Sequence, residues 1–242
     1  MEPTADARAA RLALIRTTPP QVLQPQHCEG ARLFSSRYEM MARVELPRAP
    51  VVTEVGVGVG DFSAFLLEQL QPRLFNAIDI FRMHEIDDFW GVPRRQIMGD
   101  RTHAEFFRHR FATLGDRMRI YEGDSRVCME LLEDGSQDLI YIDANHDLEP
   151  VRAEAEIATR KIKNEGVVIF NDYIVYDHLI RIPYGVVQAV NELVLTGQWR
   201  IVGFALHHSM FCDIAIRRAP TQRGGPPGTV SRMTDALPAV PQ

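Results

Sequence analysis

The sequence predicts an α/β fold in which a doubly wound, mostly parallel sheet of seven strands ends in an antiparallel hairpin. Three observations predict it. Short apolar runs recur along the chain, helical patterns separate the first five of them, and only three residues separate the last two. Strands that are apolar on both faces and alternate with helices are typical of a parallel sheet with helices on both sides.

Seven runs have the length and composition of strands. They are VVTEV at 51–55, FNAIDI at 75–80, MRIYEG at 118–123, DLIYID at 138–143, VVIFND at 167–172, WRIVGFAL at 199–206 and MFCDIAI at 210–216. The segments 62–70, 126–132 and 149–162 repeat apolar residues at helical spacing. Because the last two runs are so close, we expect them to pair as an antiparallel hairpin.

We expect one domain, residues 50–218, to contain all of these elements. Residues 1–49 carry several prolines around a helical pattern, which predicts an N-terminal helical extension. Residues 219–242 are rich in proline and glycine, and this composition predicts a disordered tail. A chain of 242 residues is long enough to bury one full core of this kind.

Composition limits the partners of the protein. The net charge is -5, so we expect neither nucleic acid nor an anionic membrane as a partner, and a small molecule is favoured. Cys28, Cys128 and Cys212 are far apart and lack metal-ligand spacing, which favours a reducing compartment. Residues 1–18 mix acids with arginines and have no continuous apolar stretch, so we expect no signal peptide and a cytoplasmic location.

An acid follows or ends each of the first five apolar runs. These acids are Glu54, Asp79, Asp124, Asp143 and Asp172. Ligands of open α/β sheets bind beyond the carboxyl ends of the strands. A single acid there is often only a cap or a turn residue. Five at one edge of a sheet predict a functional site.

A glycine-rich loop follows the first run. Gly56, Gly58 and Gly60 alternate with other residues, Glu54 precedes them, and Asp61 comes next. Glycines let a backbone turn sharply and approach a ligand, and the N-terminus of the following helix supplies a positive field. A bare turn requires fewer glycines. Asp61 would repel a pyrophosphate, whereas the acid at position 54 suits a cationic amino group, so the loop favours a nucleoside without phosphate.

These motifs resemble those of class I S-adenosylmethionine-dependent methyltransferases. Glu54-x-Gly56-x-Gly58-x-Gly60 resembles their first motif, Asp79 their ribose-binding acid, and Gly123-Asp124-Ser125 their third motif, whose acid lies near the adenine. The resemblance covers residues 50–216 and implies a Rossmann-like sheet whose last strand is inserted antiparallel. The cofactor-binding residues that it implies are Glu54, Gly56, Gly58, Gly60, Asp79, Asp124 and Ser125. A nicotinamide oxidoreductase and an inactive cofactor-binding subunit remain as alternatives.

Residues 138–173 resemble a bacterial subgroup related to metal-dependent macrocin-type sugar O-methyltransferases. The pattern is Asp143-x-x-His146 after the fourth run and Asn171-Asp172-Tyr173 after the fifth. The resemblance implies methylation of a sugar or natural-product hydroxyl. Such a transfer requires alignment of the acceptor and a route for its proton.

Two routes for the proton remain open. His146, with Asp143, is the candidate catalytic base, because imidazole titrates near neutrality. Asp143, Asn171 and Asp172 are candidate Mg²⁺ ligands, because hard oxygen donors can hold an ion that acidifies a hydroxyl. Metal-independent N- or O-methylation by His146 alone is the alternative. Related enzymes often dimerise, so the resemblance also leaves a homo-oligomer open.

Overall fold

The computed structural model describes residues 21–89 and 91–220, together with Ala9 and Ala13. The helix predicted near the N-terminus and the predicted tail therefore fall almost wholly outside the described residues. Within the described part, no helix is long and apolar enough to cross a membrane.

Eight strands form the main sheet. They are β1 Arg32–Phe34, β2 Val51–Val55, β3 Leu74–Asp79, β4 Met118–Glu122, β5 Gln137–Ile142, β6 Ile162–Phe170, β7 Trp199–Ala205 and β8 Asp213–Arg218. Their order across the sheet is β1-β7-β8-β6-β5-β2-β3-β4. Only β8 runs antiparallel to its neighbours, β6 and β7, among these strands. The predicted fold class and C-terminal hairpin are confirmed, with one strand more than predicted.

The additional strand is β1, from the segment predicted as an N-terminal extension. Arg32–Phe34 pairs in parallel with residues 203–205 of β7. Phe34 is buried and joins the core. A run of three residues is too short to give a periodic strand signal in the sequence. Part of the predicted extension therefore completes one edge of the sheet.

Seven α-helices connect and cover the strands within the described residues. They are α1 Arg37–Arg43, α2 Asp61–Leu70, α3 Arg94–Met98, α4 His103–Arg110, α5 Ser125–Glu130, α6 Leu148–Lys161 and α7 Val186–Leu195. Short 3-10 helices occupy Pro25–His27, Met83–Glu85 and Ala112–Arg117. Two small hairpins pair Asp88–Phe89 with Val92–Pro93 and Tyr176–Asp177 with Ile182–Pro183. The helices predicted at 62–70, 126–132 and 149–162 correspond to α2, α5 and α6.

Alternating side chains of the central strands divide the core into two layers. On β5, Ile140 and Ile142 pack with residues of α5, α6 and α7, whereas Leu139 and Tyr141 pack with residues of α1, α2 and α4. Strands buried on both faces explain why these runs are continuously apolar. The sheet is thus doubly wound, as predicted.

Strand β2 lies between β5 and β3, and the order of the strands reverses at this point. In open α/β sheets, the crevice beyond the carboxyl ends of the strands at such a switch point is where ligands bind. The loops that follow β2, β3, β4 and β5 meet there. They carry most of the acids singled out in the sequence.

Candidate active site

A cavity of about 880 Å³ opens at this edge of the sheet. Its size is suited to a small organic ligand, since such sites measure roughly 300–1,000 Å³. We call it the main cavity. Six of the predicted cofactor-binding residues line it: Glu54, Gly56, Gly58, Asp79, Asp124 and Ser125. Asp143 lines it as well, whereas Gly60 does not.

Packing within the protein accounts for two of the three glycines in the loop. A Cβ atom on Gly56, at φ +84°, would lie 1.9 Å from the carbonyl oxygen of Asp143. A Cβ atom on Gly60, at φ +85°, would lie 2.8 Å from the ring of Phe111. Gly58 has φ +50° and open space beside it. Of the three loop glycines, Gly58 is therefore the one whose missing side chain leaves space for a ligand.

Asp79 holds the glycine loop in place. Its Oδ2 accepts hydrogen bonds from the backbone N–H groups of Val57 at 2.9 Å and Gly58 at 3.2 Å. Its Oδ1 accepts one from Phe81 at 2.8 Å. A carboxylate offers about four lone-pair sites, so one acceptor site is left for a ligand. The predicted contact with a ribose stays a prediction, and the supporting role for the loop is additional to it.

Glu54 is a buried acid that lines the main cavity. Its side chain is 1% exposed, and the hydroxyl of Ser63 on α2 donates to its Oε2 at 2.5 Å. Burial raises the pKa of Glu54 to about 8, although the bond from Ser63 opposes that rise. The side chain is therefore mainly protonated at neutral pH unless a cationic group binds beside it.

Asp124 and Ser125 form the turn after β4 and line the main cavity. The backbone N–H of Arg126 donates to Asp124 Oδ1 at 3.0 Å, and this acid caps α5. The guanidinium of Arg126 lowers the pKa of Asp124 to about 2. The hydroxyl of Ser125 donates to Glu154, which is fully buried. Both predicted residues thus have protein partners that fix their orientation.

His146 lies between two carboxyl groups. Its Nε2 is 3.8 Å from Oδ1 of Asp143 and 3.5 Å from Oδ2 of Asp172. The ring stacks on Tyr184, with 4.5 Å between centroids, and the Tyr184 hydroxyl donates to Asp177 at 2.9 Å. This arrangement brings together three residues that the sequence assigned to the site from two different loops.

The environment of these groups shifts their titration in opposite directions. Burial lowers the pKa of His146 to about 4. Burial, and then the charge of Asp172, raise the pKa of Asp143 to about 7. Burial, and then the charge of Asp213, raise the pKa of Asp172 to about 7. At neutral pH a neutral imidazole therefore faces two carboxyl groups that are close to their own titration points.

Asn171, the third predicted Mg²⁺ ligand, takes part in a different contact. Its side-chain amide donates to Asp213 at 3.0 Å, and the residue is 7% exposed. Asp213 also accepts a hydrogen bond from the hydroxyl of Tyr141 at 2.7 Å. Among the residues that the structure describes, no three His, Cys, Asp or Glu side chains are arranged to hold a metal ion. The bond to Asp213 uses the amide N–H of Asn171, whereas a metal would bind the amide oxygen, so the predicted Mg²⁺ site stays a prediction.

Arg37 is a site residue that the sequence analysis missed. It lines the main cavity, lies 3.9 Å from Asp143 Oδ2 and stacks over Phe62 at 4.4 Å. Its NH1 group donates to the hydroxyl of Tyr141 at 3.3 Å. Arg37 belongs to α1, in the segment taken as an extension, and no motif marks it. Asp213, in contrast, could have been recognised in the sequence, because it interrupts the apolar run FCDIAI.

Comparisons with solved structures show the fold. The pyocyanin biosynthetic protein PhzM aligns with TM-score 0.51 and 13% identity over 76% of this chain and 55% of that one. The chain thus spans about half the length of PhzM. A candidate rRNA methylase from Clostridium thermocellum aligns with TM-score 0.52 and 11% identity, over 76% of this chain and 93% of that one. A protein from Corynebacterium glutamicum gives TM-score 0.51 and 11% identity, over 91% and 93% of the two chains.

No curated protein matches the chain by sequence. The family model described as a methyltransferase domain matches residues 53–173, which is half of the chain. The matched segment begins in β2, contains the glycine loop, Asp79 and His146, and ends at Tyr173. The macrocin-type subgroup stays a prediction. The chain belongs to the methyltransferase domain family.

Proposed function

We propose that this methyltransferase transfers a methyl group from S-adenosylmethionine to a hydroxyl group of a small molecule, with His146 as the proton acceptor. The observation that carries the proposal is the position of His146, whose Nε2 lies 3.8 Å from the carboxyl group of Asp143, a residue that lines the main cavity, and 3.5 Å from that of Asp172. The methyltransferase fold implies S-adenosylmethionine as the donor.

The lining of the main cavity fits this cofactor. Gly58 leaves open space beside the loop, and Asp79 and the turn at Asp124 and Ser125 supply polar groups for a nucleoside. Glu54 and Arg37 both line the cavity and are close enough to interact, and they suit the ammonium and the carboxylate of an amino acid. Bound there, S-adenosylmethionine would supply a methyl group attached to a positively charged sulfonium sulfur. This group is activated for transfer, because a neutral thioether is a good leaving group.

The residues around His146 manage the proton. When the acceptor oxygen takes the methyl group, the bond between the methyl carbon and sulfur would break with its electron pair left on sulfur, and Nε2 of His146 would take the proton from the broken O–H bond. The distances to Asp143 and Asp172 exceed those of a good hydrogen bond, so Nε2 is left for the acceptor. The ionised carboxylates then stabilise the imidazolium.

We propose that this proton transfer needs no metal ion. The amide of Asn171 is bound to Asp213, and the remaining predicted ligands, Asp143 and Asp172, face His146. These contacts favour proton transfer through His146 alone, and the experiment that follows decides between this route and the predicted Mg²⁺ site. Turnover of a metal-stripped sample in EDTA should equal that in Mg²⁺. Turnover that disappears in EDTA and returns with Mg²⁺ would contradict the proposal.

The cofactor is tested first, by calorimetric titration with S-adenosylhomocysteine and with NAD. We expect saturable binding of the nucleoside and none of NAD. In Asp79→Ala the N–H groups of Val57 and Gly58 lose their acceptor, so affinity should fall at least tenfold. Preference for NAD would support the oxidoreductase alternative instead.

The acceptor class is tested with a labelled methyl donor. A small-molecule acceptor is favoured by the net charge of -5, which gives no general attraction for nucleic acid. Because a structural neighbour is named as an rRNA methylase candidate, rRNA and tRNA belong in the panel with phenols, sugars and amines. Label on a hydroxyl compound supports the proposal. Label only on RNA, or only on an amine, would overturn the assignment of the acceptor.

A further inference from the structure

A second, smaller cavity lies among β1, α1, β7 and β8. It measures about 170 Å³ and shares no lining residue with the main cavity. Four arginines line it, one from each of these elements: Arg32, Arg43, Arg200 and Arg217. We call it the arginine pocket. Methyl transfer, as proposed above, uses none of these side chains.

Two of the arginines stand directly opposite each other in the sheet. Arg200 of β7 is the register partner of Arg217 of β8 in an antiparallel pair. Like charges at opposite positions of a strand pair destabilise it. Burial lowers the pKa of Arg217, the charges of Glu45 and Glu165 oppose that shift, and the charge of Arg200 adds to it. Repulsion between these two arginines therefore destabilises this part of the sheet, and the packing of the core does not explain why they stand opposite each other.

The same two side chains also have unpaired polar atoms. The Nε groups of Arg200 and Arg217 are buried and have no hydrogen-bond partner among the residues that the structure describes. Arg217 donates through NH2 to the backbone carbonyl of Glu45, which leaves Nε without an acceptor. Buried N–H groups in proteins are nearly always paired, and a guanidinium donates in a fork that matches an oxyanion.

The acids around the pocket do not balance these charges. Glu45 is the only acid among its lining residues. Glu39 pairs with Arg43 at 3.1 Å, but its carboxylate also accepts from the backbone and the hydroxyl of Ser35. Glu165 contributes charge near Arg217 from β6. Four arginines thus line a space that is large enough for one tetrahedral oxyanion.

We propose that the arginine pocket binds an oxyanion, either free phosphate or the phosphoryl group of a small metabolite. An oxyanion there would accept from the unpaired Nε groups and would relieve the repulsion between Arg200 and Arg217. The site is separate from the main cavity, so the proposal does not depend on the identity of the methyl acceptor.

The test measures binding of inorganic phosphate by calorimetry, and thermal unfolding with phosphate replaced by chloride at constant ionic strength. We expect saturable binding and a higher melting temperature in phosphate. Arg200→Gln, Arg217→Gln and Arg43→Gln should each weaken binding at least tenfold. Arg119→Gln is the matched control, because Arg119 is exposed on the edge strand β4 and lies outside the pocket. Glycerol phosphate in place of phosphate distinguishes a metabolite, which would bind more tightly, from the free ion.

The melting temperatures in chloride distinguish a loss of oxyanion binding from a loss of folding stability. Without an oxyanion, Arg200→Gln and Arg217→Gln should leave the melting temperature unchanged or raise it, since each removes a repulsion. The proposal is overturned if the wild type shows no saturable binding, or if Arg119→Gln weakens binding as much as the pocket variants do. It is also overturned if the variants melt lower by the same amount in both buffers with unchanged affinity. Arg43 is exposed, so its variant remains informative if a strand variant does not fold.

Discussion

Nε2 of His146 lies 3.5 Å from Oδ2 of Asp172, and Asp172 itself adopts a left-handed backbone with φ +53°. Few residues other than glycine adopt this conformation, and it persists where the surrounding structure enforces it. Here the following residue, Tyr173, donates its N–H to the carbonyl of Cys212 at 2.7 Å. The end of β6 is thereby tied to the segment before β8, and the strained residue is the one that approaches the imidazole.

Replacing His146 by glutamine should remove the proton acceptor but leave the cofactor site intact. We expect kcat to fall by about 10²–10⁴-fold, the range for loss of a general base, with unchanged affinity for S-adenosylhomocysteine. Labelled methyl transfer and calorimetry measure the two quantities. His208→Gln is the matched control, because His208 is exposed near the end of β7. A His146 variant that keeps kcat within twofold would contradict the proposed role.

The pH dependence of kcat tests the two carboxyl groups. Both have a pKa near 7, so protonation below that pH removes the charges that stabilise the imidazolium. Activity should therefore rise with pH through about 7 in the wild type. In Asp172→Asn the plateau should be lower, and the rise should move to more acid pH, because the charge of Asp172 contributes to the raised pKa of Asp143. An unchanged profile would show that neither carboxyl group takes part.

The fold could be predicted because each of the strands β2 to β6 contains a mainly apolar run in the sequence. The strand predicted at 210–216 begins instead at Asp213, because residues 207–212 form a wider turn with hydrogen bonds from Met210 to His207 and from Cys212 to Met210. Apolar residues occur in that turn as well, so composition alone could not place the boundary. The extra strand, Arg32–Phe34, gave no signal because its pairing with β7 is non-local.

The site was predictable to the extent that its residues follow strands. Glu54, Asp79 and Asp143 meet at one edge because the carboxyl ends of parallel strands do so. Arg37 could not be predicted, since it reaches the cavity from a helix far away in sequence. The prediction of Asn171 as a metal ligand rests on its residue type and its place after the fifth run, and its contact with Asp213 could not be predicted because it depends on the pairing of β6 with β8.

Alanine at Gly56 and at Gly58 should have different effects. At Gly56 the new Cβ would collide with the backbone at Asp143, which cannot yield, so we expect a loss above about 4 kcal/mol or no folded protein. At Gly58 there is open space, and only the left-handed backbone costs energy, about 1 kcal/mol. Urea unfolding measures both.

The affinity of Gly58→Ala for S-adenosylhomocysteine tests whether the cofactor occupies that open space. A methyl group there would take up room in the main cavity, so affinity should fall at least tenfold although the protein stays folded. Wild-type affinity in this variant would mean that the cofactor lies away from Gly58. The Gly56 variant cannot serve this purpose, because its defect is in folding.

Glu54 should make the stability of the protein fall as pH rises. Its pKa is about 8 in the folded state, against about 4.3 in an unfolded chain, so between these values the folded state binds the additional proton. Stability due to this group is therefore complete below pH 4 and is lost progressively up to about pH 8. Glu54→Gln keeps an acceptor for Ser63 and removes the titration. The free energy of unfolding of Glu54→Gln, relative to that of the wild type, should increase with pH by on the order of 1 kcal/mol per pH unit at most.

Urea unfolding of Glu54→Gln and the wild type at pH 5 and pH 8 measures this difference. Glu68→Gln is the matched control, because Glu68 lies on the exposed side of the same helix as Ser63. It should alter stability little and equally at both pH values. A gap between Glu54→Gln and the wild type that is the same at pH 5 and pH 8 would mean that Glu54 is ionised in the folded protein. The acid would then need a permanent cationic partner, and Arg37, which lines the same cavity and whose charge lowers the pKa of Glu54, is the candidate that the described residues offer.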